Sequence, residues 1–301
     1  MRTSKVRHFG RLAAVALIIS LVAAACGDDS EDESGGGAEQ TTTTAAQPAE
    51  VNITATDFAF QLPPAIPSGV VKMTLTNSGQ QPHDFQLLKI DGTHSLAEIK
   101  NVVNDDEGGP IPEWLHGAGG VGIVGPGAPP GQAFVKIEAG AKYVYICTED
   151  DEKTKKSHAD LGMIGEMKVE GTSPATELPK ADATVVAKEY SFDIQGIKAG
   201  EQMVDFSNAG PAELHLFVAA PILPGKTIDD VTNFLSSPNP SGQPPIDFMK
   251  AVSGGAVDPG VRTVVKASFA PGDYVFLCFI TDRKGGPPHL AKGMVTPFKV
   301  S

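Results

Sequence analysis

The sequence predicts an all-β protein built as two tandem β-sandwich domains, each with one short helix. Three observations predict it. Glycine (33) and proline (24) are plentiful while long amphipathic runs are scarce, the pattern of many short strands joined by turns. The chain repeats itself once at a spacing of about 131 residues, which means domain duplication rather than a solenoid. Within the repeats apolar and polar residues alternate: Val71, Met73 and Leu75 are interleaved with Lys72, Thr74 and Thr76, a half-buried strand.

A length of 301 residues allows two ordinary domains, and 41% hydrophobic with 20% charged residues is a globular balance. Residues 1–26 read as an export signal. Arg2, Lys5, Arg7 and Arg11 precede an apolar run that is short for a membrane span and ends in small residues at Cys26. The ending L-V-A-A-A-C-G-D-D resembles the lipobox of bacterial lipoproteins. That resemblance implies lipidation of Cys26 and anchoring to the outer face of a bacterial cell membrane. Residues 27–50 carry seven acidic and no basic side chains with Gly and Thr runs, and read as a disordered tether reaching roughly 25–30 Å or more. The formal net charge of −12 excludes nucleic-acid binding by charge and favours partners with a basic patch.

The repeats occupy 51–172 and 183–301. Asp57-Phe58-Ala59-Phe60 matches Glu189-Tyr190-Ser191-Phe192, and Asn77-Ser78-Gly79 matches Asn208-Ala209-Gly210. Tyr143, Tyr145 and Cys147 share one face of a strand, as do Tyr274, Phe276 and Cys278; the aromatics should enter a core and the cysteine should end the row at a rim. Ser95-x-x-Glu98 and Thr227-x-x-Asp230 each resemble a capping box before a short helix. The runs H-G-A-G-G-V-G-I-V-G-P-G-A-P-P-G and S-G-G-A-V-D-P-G read as connections, and E-D-D-E-K-T-K-K (149–156) as a solvated loop. The segment 171–182 between the repeats is short and Pro-rich, so the domains should touch.

Cys147, His158 and Met163 recur as Cys278, His289 and Met294 with the same intervals, and His83 recurs as His215. Each repeat keeps a single cysteine, so no disulfide can form within it, and a free thiol in an oxidising compartment fits metal ligation. Two imidazoles, a thiolate and a thioether suit copper, with the methionine as a weak axial ligand. Zinc is a poorer fit because a thioether is a poor zinc ligand. The competing reading is a metal-free shell in which each cysteine packs as a small hydrophobe. Gly117–Gly122 matches a dinucleotide fingerprint by chance, since no strand and helix flank it, and Cys147 with His158 as a nucleophilic pair leaves His83 and Met163 without a role. His94 and His116 have no counterparts and read as loop histidines, with His116 beside Trp114 a candidate docking surface.

Each repeat resembles a type 1 (blue) copper domain, a cupredoxin similar to plastocyanin and azurin. The resemblance rests on N-S-G-Q-Q-P-H-D and N-A-G-P-A-E-L-H-L before the first histidine. It rests also on A-G-A-K-Y-V-Y-I-C and P-G-D-Y-V-F-L-C at the cysteine, and on the His, Met and last strand that follow. It implies Greek-key sandwiches, one copper site at His83, Cys147, His158 and Met163, and a second at His215, Cys278, His289 and Met294. The expected function is one-electron transfer with a redox protein partner; copper storage or delivery and a metal-free interaction module are the alternatives. Two features depart from the family: ten residues separate Cys from His in each repeat, and the family's Asn after the first histidine is Asp84 or Leu216 here. Catalysis is not expected, because two-domain copper enzymes place a histidine beside the cysteine, where this chain has Ile146, Thr148, Leu277 and Phe279.

Overall fold

The computed structural model describes residues 46–104, 108–237 and 241–301. The export segment, Cys26 and most of the acidic tether lie outside them. Among the described residues no helix is long and apolar enough to cross a membrane. The first half holds β1 (Ala49–Thr56), β2 (Ala59–Gln61), β3 (Ala65–Asn77), β4 (His83–Ile90), α1 (Leu96–Val103), β5 (Leu115–Val124), β6 (Gly131–Ile137), β7 (Lys142–Ile146) and β8 (Ile164–Thr172). The second half holds β9 (Ala183–Lys188), β10 (Ser191–Gln195), β11 (Gly200–Asn208), β12 (His215–Pro221), α2 (Ile228–Leu235), β13 (Val252–Val257), β14 (Arg262–Phe269), β15 (Gly272–Leu277) and β16 (Val295–Val300).

The strands stack as two layers. One runs β2-β1-β3-β6-β14-β11-β9-β10, the other β8-β7-β4-β5-β13-β12-β15-β16, and a parallel pairing of β3 with β8 joins them at an edge. This is the all-β sandwich class. The alternation read at residues 71–76 sends Val71, Met73 and Leu75 into the first core, with Phe85, Leu87 and Val135. The second core gathers Val185, Phe206, Phe217, Phe269 and Phe276. Each fully buried phenylalanine contributes about 1.5–3 kcal/mol by leaving water. β7 is buried on both faces. Tyr143 and Cys147 enter the sandwich, while Val144 and Ile146 pack outward beneath Ile99 of α1. β15 repeats this, with Val275 and Leu277 beneath Val231 of α2.

Each helix is short and capped, but only one cap is reciprocal. The Thr227 side chain accepts from Asp230 N–H while Asp230 takes the Thr227 N–H, a full capping box. Ser95 caps α1 alone, because the Glu98 carboxylate is taken by His94 Nδ1 at 2.9 Å.

The glycine-rich runs are connections only in their last parts, 125–130 and 258–260, and strand before that. Gly117–Gly122 lies within β5 and Gly254–Gly255 within β13, and these two strands pair with each other across the halves. Backbones approach there too closely for side chains. A Cβ on Gly122 would sit 2.2 Å from Ser253 O, and one on Gly255 2.5 Å from Gly119 C. The seam is symmetric. Val265 of β14 faces its own counterpart Ala133 of β6, and Gly254 faces its counterpart Val121. The halves are thus related as an isologous pair.

Candidate metal centres

Six of the eight candidate ligands sit where a strand starts or stops, while His158 lies in the turns before β8 and His289 opens a short 3-10 helix. His83 and His215 open β4 and β12, Cys147 and Cys278 follow β7 and β15, and Met163 and Met294 immediately precede β8 and β16. The Asn-x-Gly turns explain how the first histidine is presented. Asn77 Nδ2 donates to Gln81 O and Val124 O while its Oδ1 accepts from Gly79 N–H. Asn208 does the same with Glu213 O, Val257 O and Gly210 N–H. The turn is therefore tied to β5 or β13 just ahead of the histidine.

The structure brings the sequence-predicted residues together twice. Cys147 Sγ lies 3.8 Å from His83 Nδ1 and 3.4 Å from His158 Nδ1. Cys278 Sγ lies 3.9 Å from His215 Nδ1 and 3.5 Å from His289 Nδ1. Within each set the three donor atoms are mutually within 4.8 Å. The methionines are held by short backbone bonds: Met163 N–H donates to His158 O at 2.9 Å and Met294 N–H to His289 O at 3.0 Å. All eight side chains have 0% exposure.

The electrostatics fit a cation bound through Nδ1 and Sγ. Burial pushes the Cys278 thiol up to about 12 and the Cys147 thiol well above its ordinary value. Two backbone N–H groups face each sulfur, those of Asp84 and Glu149 in one site and of Leu216 and Ile280 in the other. Burial and the neighbouring His289 lower His215 to about 4, and burial first of all lowers His158 and His289, so these imidazoles are neutral donors at neutral pH. Buried neutral imidazoles beside a buried thiol form the donor set that a soft, borderline metal ion selects.

Outside the donors, the D-F-A-F and E-Y-S-F repeats supply carboxylates and lids. His83 Nε2 meets Asp57 Oδ1 at 3.0 Å, and Glu189, the counterpart of Asp57, stands 3.9 Å from His215 Nε2. The Phe58 and Tyr190 rings each pack 5.0 Å from the second histidine, His158 and His289. His289 Nε2 also meets Asp282 Oδ1 at 3.2 Å, and Lys292 pairs with that carboxylate. His158 Nε2 and His215 Nε2 are buried without a hydrogen-bond partner among the described residues. The sequence marked these motifs only as repeats; their recurrence was the available signal, and their role in the site was not read from it.

The ten-residue detours take two different courses. Residues 149–157 fold back through the Asp150–Ser157 bridge and meet the end of α1 through Asn104–Ser157 at 2.6 Å, and Asp160, just past His158, pairs with Lys100 of α1 at 2.9 Å. The segment is not wholly solvated, since Asp151 is buried and accepts from Thr154 and Gln81. The 279–288 detour is a strap onto the first half. Arg283 O accepts from Ile111 N–H at 2.9 Å, and its guanidinium donates to Pro112 O, Leu115 O and Asp258 Oδ1. His116 is a strand residue of β5, held by Asp91 at 3.0 Å and Asp258 at 2.6 Å, so it joins the halves instead of lining a loop. His94 stacks on Trp114 with centroids 3.7 Å apart.

No family model matches the chain, and no curated protein matches it. Among solved structures, auracyanin from the photosynthetic bacterium Roseiflexus castenholzii is similar at 23% identity over 39% of this chain and 94% of its own, with a TM-score of 0.25. Auracyanin A from Chloroflexus aurantiacus, a blue copper protein, gives 20% identity over 41% and 100%, TM-score 0.31. The copper nitrite reductase of Nitrosomonas europaea is similar across both halves, at 15% identity over 85% and 94%, TM-score 0.24. The chain's own donor atoms carry the functional reading.

Proposed function

We propose that the chain is an extracytoplasmic copper protein whose two cupredoxin-like domains, 51–172 and 183–301, carry single electrons through two type 1 sites. The observation that supports this best is the duplicated donor set, whose Sγ–Nδ1 distances agree between halves to within 0.1 Å. His83, Cys147, His158 and Met163 would hold one copper, and His215, Cys278, His289 and Met294 the other. Bound copper supplies a one-electron couple. The protein's part is to keep that couple from needing rearrangement. The imidazoles are locked by the Asn turns, the thiolates are met by backbone N–H groups, and full burial excludes water. Lipidation at Cys26 would tether the chain to the membrane, and its acidic charge would steer it to a redox protein with a basic patch. No histidine adjoins either cysteine. A third cluster among the described residues, Glu213, Asp282 and His289, shares His289 with the second site.

Copper-loaded protein should show the intense visible absorption of a copper–thiolate bond. Cys147→Ser and Cys278→Ser should each remove about half of it and the double variant all of it. A colourless protein after reconstitution contradicts the proposal.

A further inference from the structure

The two ligand sets share a frame and differ beside the thiolate. In the first site the Asp84 side chain, 2% exposed, accepts three hydrogen bonds. Its Oδ1 takes Thr148 N–H at 2.7 Å, and its Oδ2 takes the Thr148 hydroxyl at 2.7 Å and the Gln86 amide at 2.7 Å. Three neutral donors and, among the described residues, no cation face this carboxylate, so the acidic group next to Cys147 has no neutralising partner there. The counterparts of Asp84, Gln86 and Thr148 in the second half are Leu216, Val218 and Phe279, so the corresponding wall of the second site is apolar. Two further pairs add to the contrast in the same sense, Glu149 against Ile280 and Glu152 against Arg283, and the charges nearest the imidazoles pair off between sites. Asp57 stands against Glu189, and Asp151 against Asp282. Glu213 adds a carboxylate to the second site where the first has Gln81, and Lys292, paired with Asp282, offsets it where the first has Leu161.

A fixed negative charge in a water-poor site stabilises the more positive oxidation state of a nearby metal ion, and an apolar wall stabilises the less positive one. Resting on the copper reading above, we infer that Asp84 is a positioning residue that sets the first site at a lower reduction potential than the second. A single electron then settles on the Cys278 site, and the chain conducts in a preferred direction from the first site to the second. Asp84 acts in two ways: it clamps Thr148, the residue after the thiolate, and it places its charge beside the sulfur.

The test is a spectroelectrochemical titration of the copper-loaded chain, following the thiolate absorption. Cys278→Ser isolates the first site and Cys147→Ser the second. The second site should be favoured at least tenfold for the electron, about 59 mV for a one-electron couple. Asp84→Asn, which keeps an oxygen acceptor for Thr148 N–H, should raise the midpoint of the Cys278→Ser protein while leaving its copper content and absorption in place. Should Asp84→Asn shed copper, Leu216→Asp in the Cys147→Ser protein decides: a lowered midpoint supports the inference and an unmoved one overturns it. Equal or reversed midpoints of the two single-site proteins overturn it while leaving the copper reading intact. Absence of the absorption in the unaltered chain overturns both.

Discussion

The imidazole nitrogens that face away from the thiolates are held unequally. His83 and His289 each have a carboxylate on Nε2, which fixes the tautomer and leaves the Nδ1 lone pair facing Sγ. Asp282→Ala should weaken copper binding at the second site by about 10–100-fold and leave the first unchanged, measured by competition against a chelator. In the metal-free protein the lowered histidines make stability depend on pH. Their neutral form is the folded one, whereas the unfolded chain takes up protons below about 6.5. The stabilisation is therefore whole above that value and is lost as pH falls toward about 4, where His215 titrates in the fold. Urea midpoints should drop steadily through this window, and a flat profile contradicts the buried neutral imidazoles. The eight candidate ligands were legible because their spacing recurs. Asp57 and Asp282 were not legible as their partners, because Asp57 reaches His83 from the β1–β2 turn and Asp282 lies in a detour whose course the sequence does not fix.

At the scale of elements, the strand faces were readable and the glycine-rich strands were not. Alternation placed Met73, Leu75, Tyr143 and Phe276 in the cores, because a pleated strand with one face buried must alternate. Glycine serves both turns and close backbone approach, and composition does not distinguish the two uses. β5 and β13 use it for approach. Gly255→Ala forces a methyl group against the Gly119 backbone and should destabilise by about 1–3 kcal/mol in urea unfolding. Gly125→Ala, where the nearest atom is the end of the Met249 side chain at 3.6 Å, should change stability by less than about 0.5 kcal/mol. If both substitutions are equally mild, the seam is looser than described.

The molecule as a whole is two like halves joined back to back through both layers, with each donor set enclosed at the end of its own core. The second detour, conspicuous in the sequence only for its length, is accounted for at this scale: Arg283 and Gly286 fasten it to the first half, with Gly286 N–H donating to Gly108 O at 2.8 Å. Sequence spacing gives the length of such a loop and not its destination, which depends on a partner surface built by the other repeat. The first detour has the same length and stays on its own α1, so equal spacing does not impose equal use. Two enclosed, duplicated donor sets should behave as two one-electron centres. The most direct measurement is a reductive and oxidative titration of the copper-loaded chain alongside metal analysis. It should find two copper ions and two electrons taken up and returned per chain, with the visible absorption bleached and restored. A chain that binds no copper, or whose absorption does not return on reoxidation, contradicts the account.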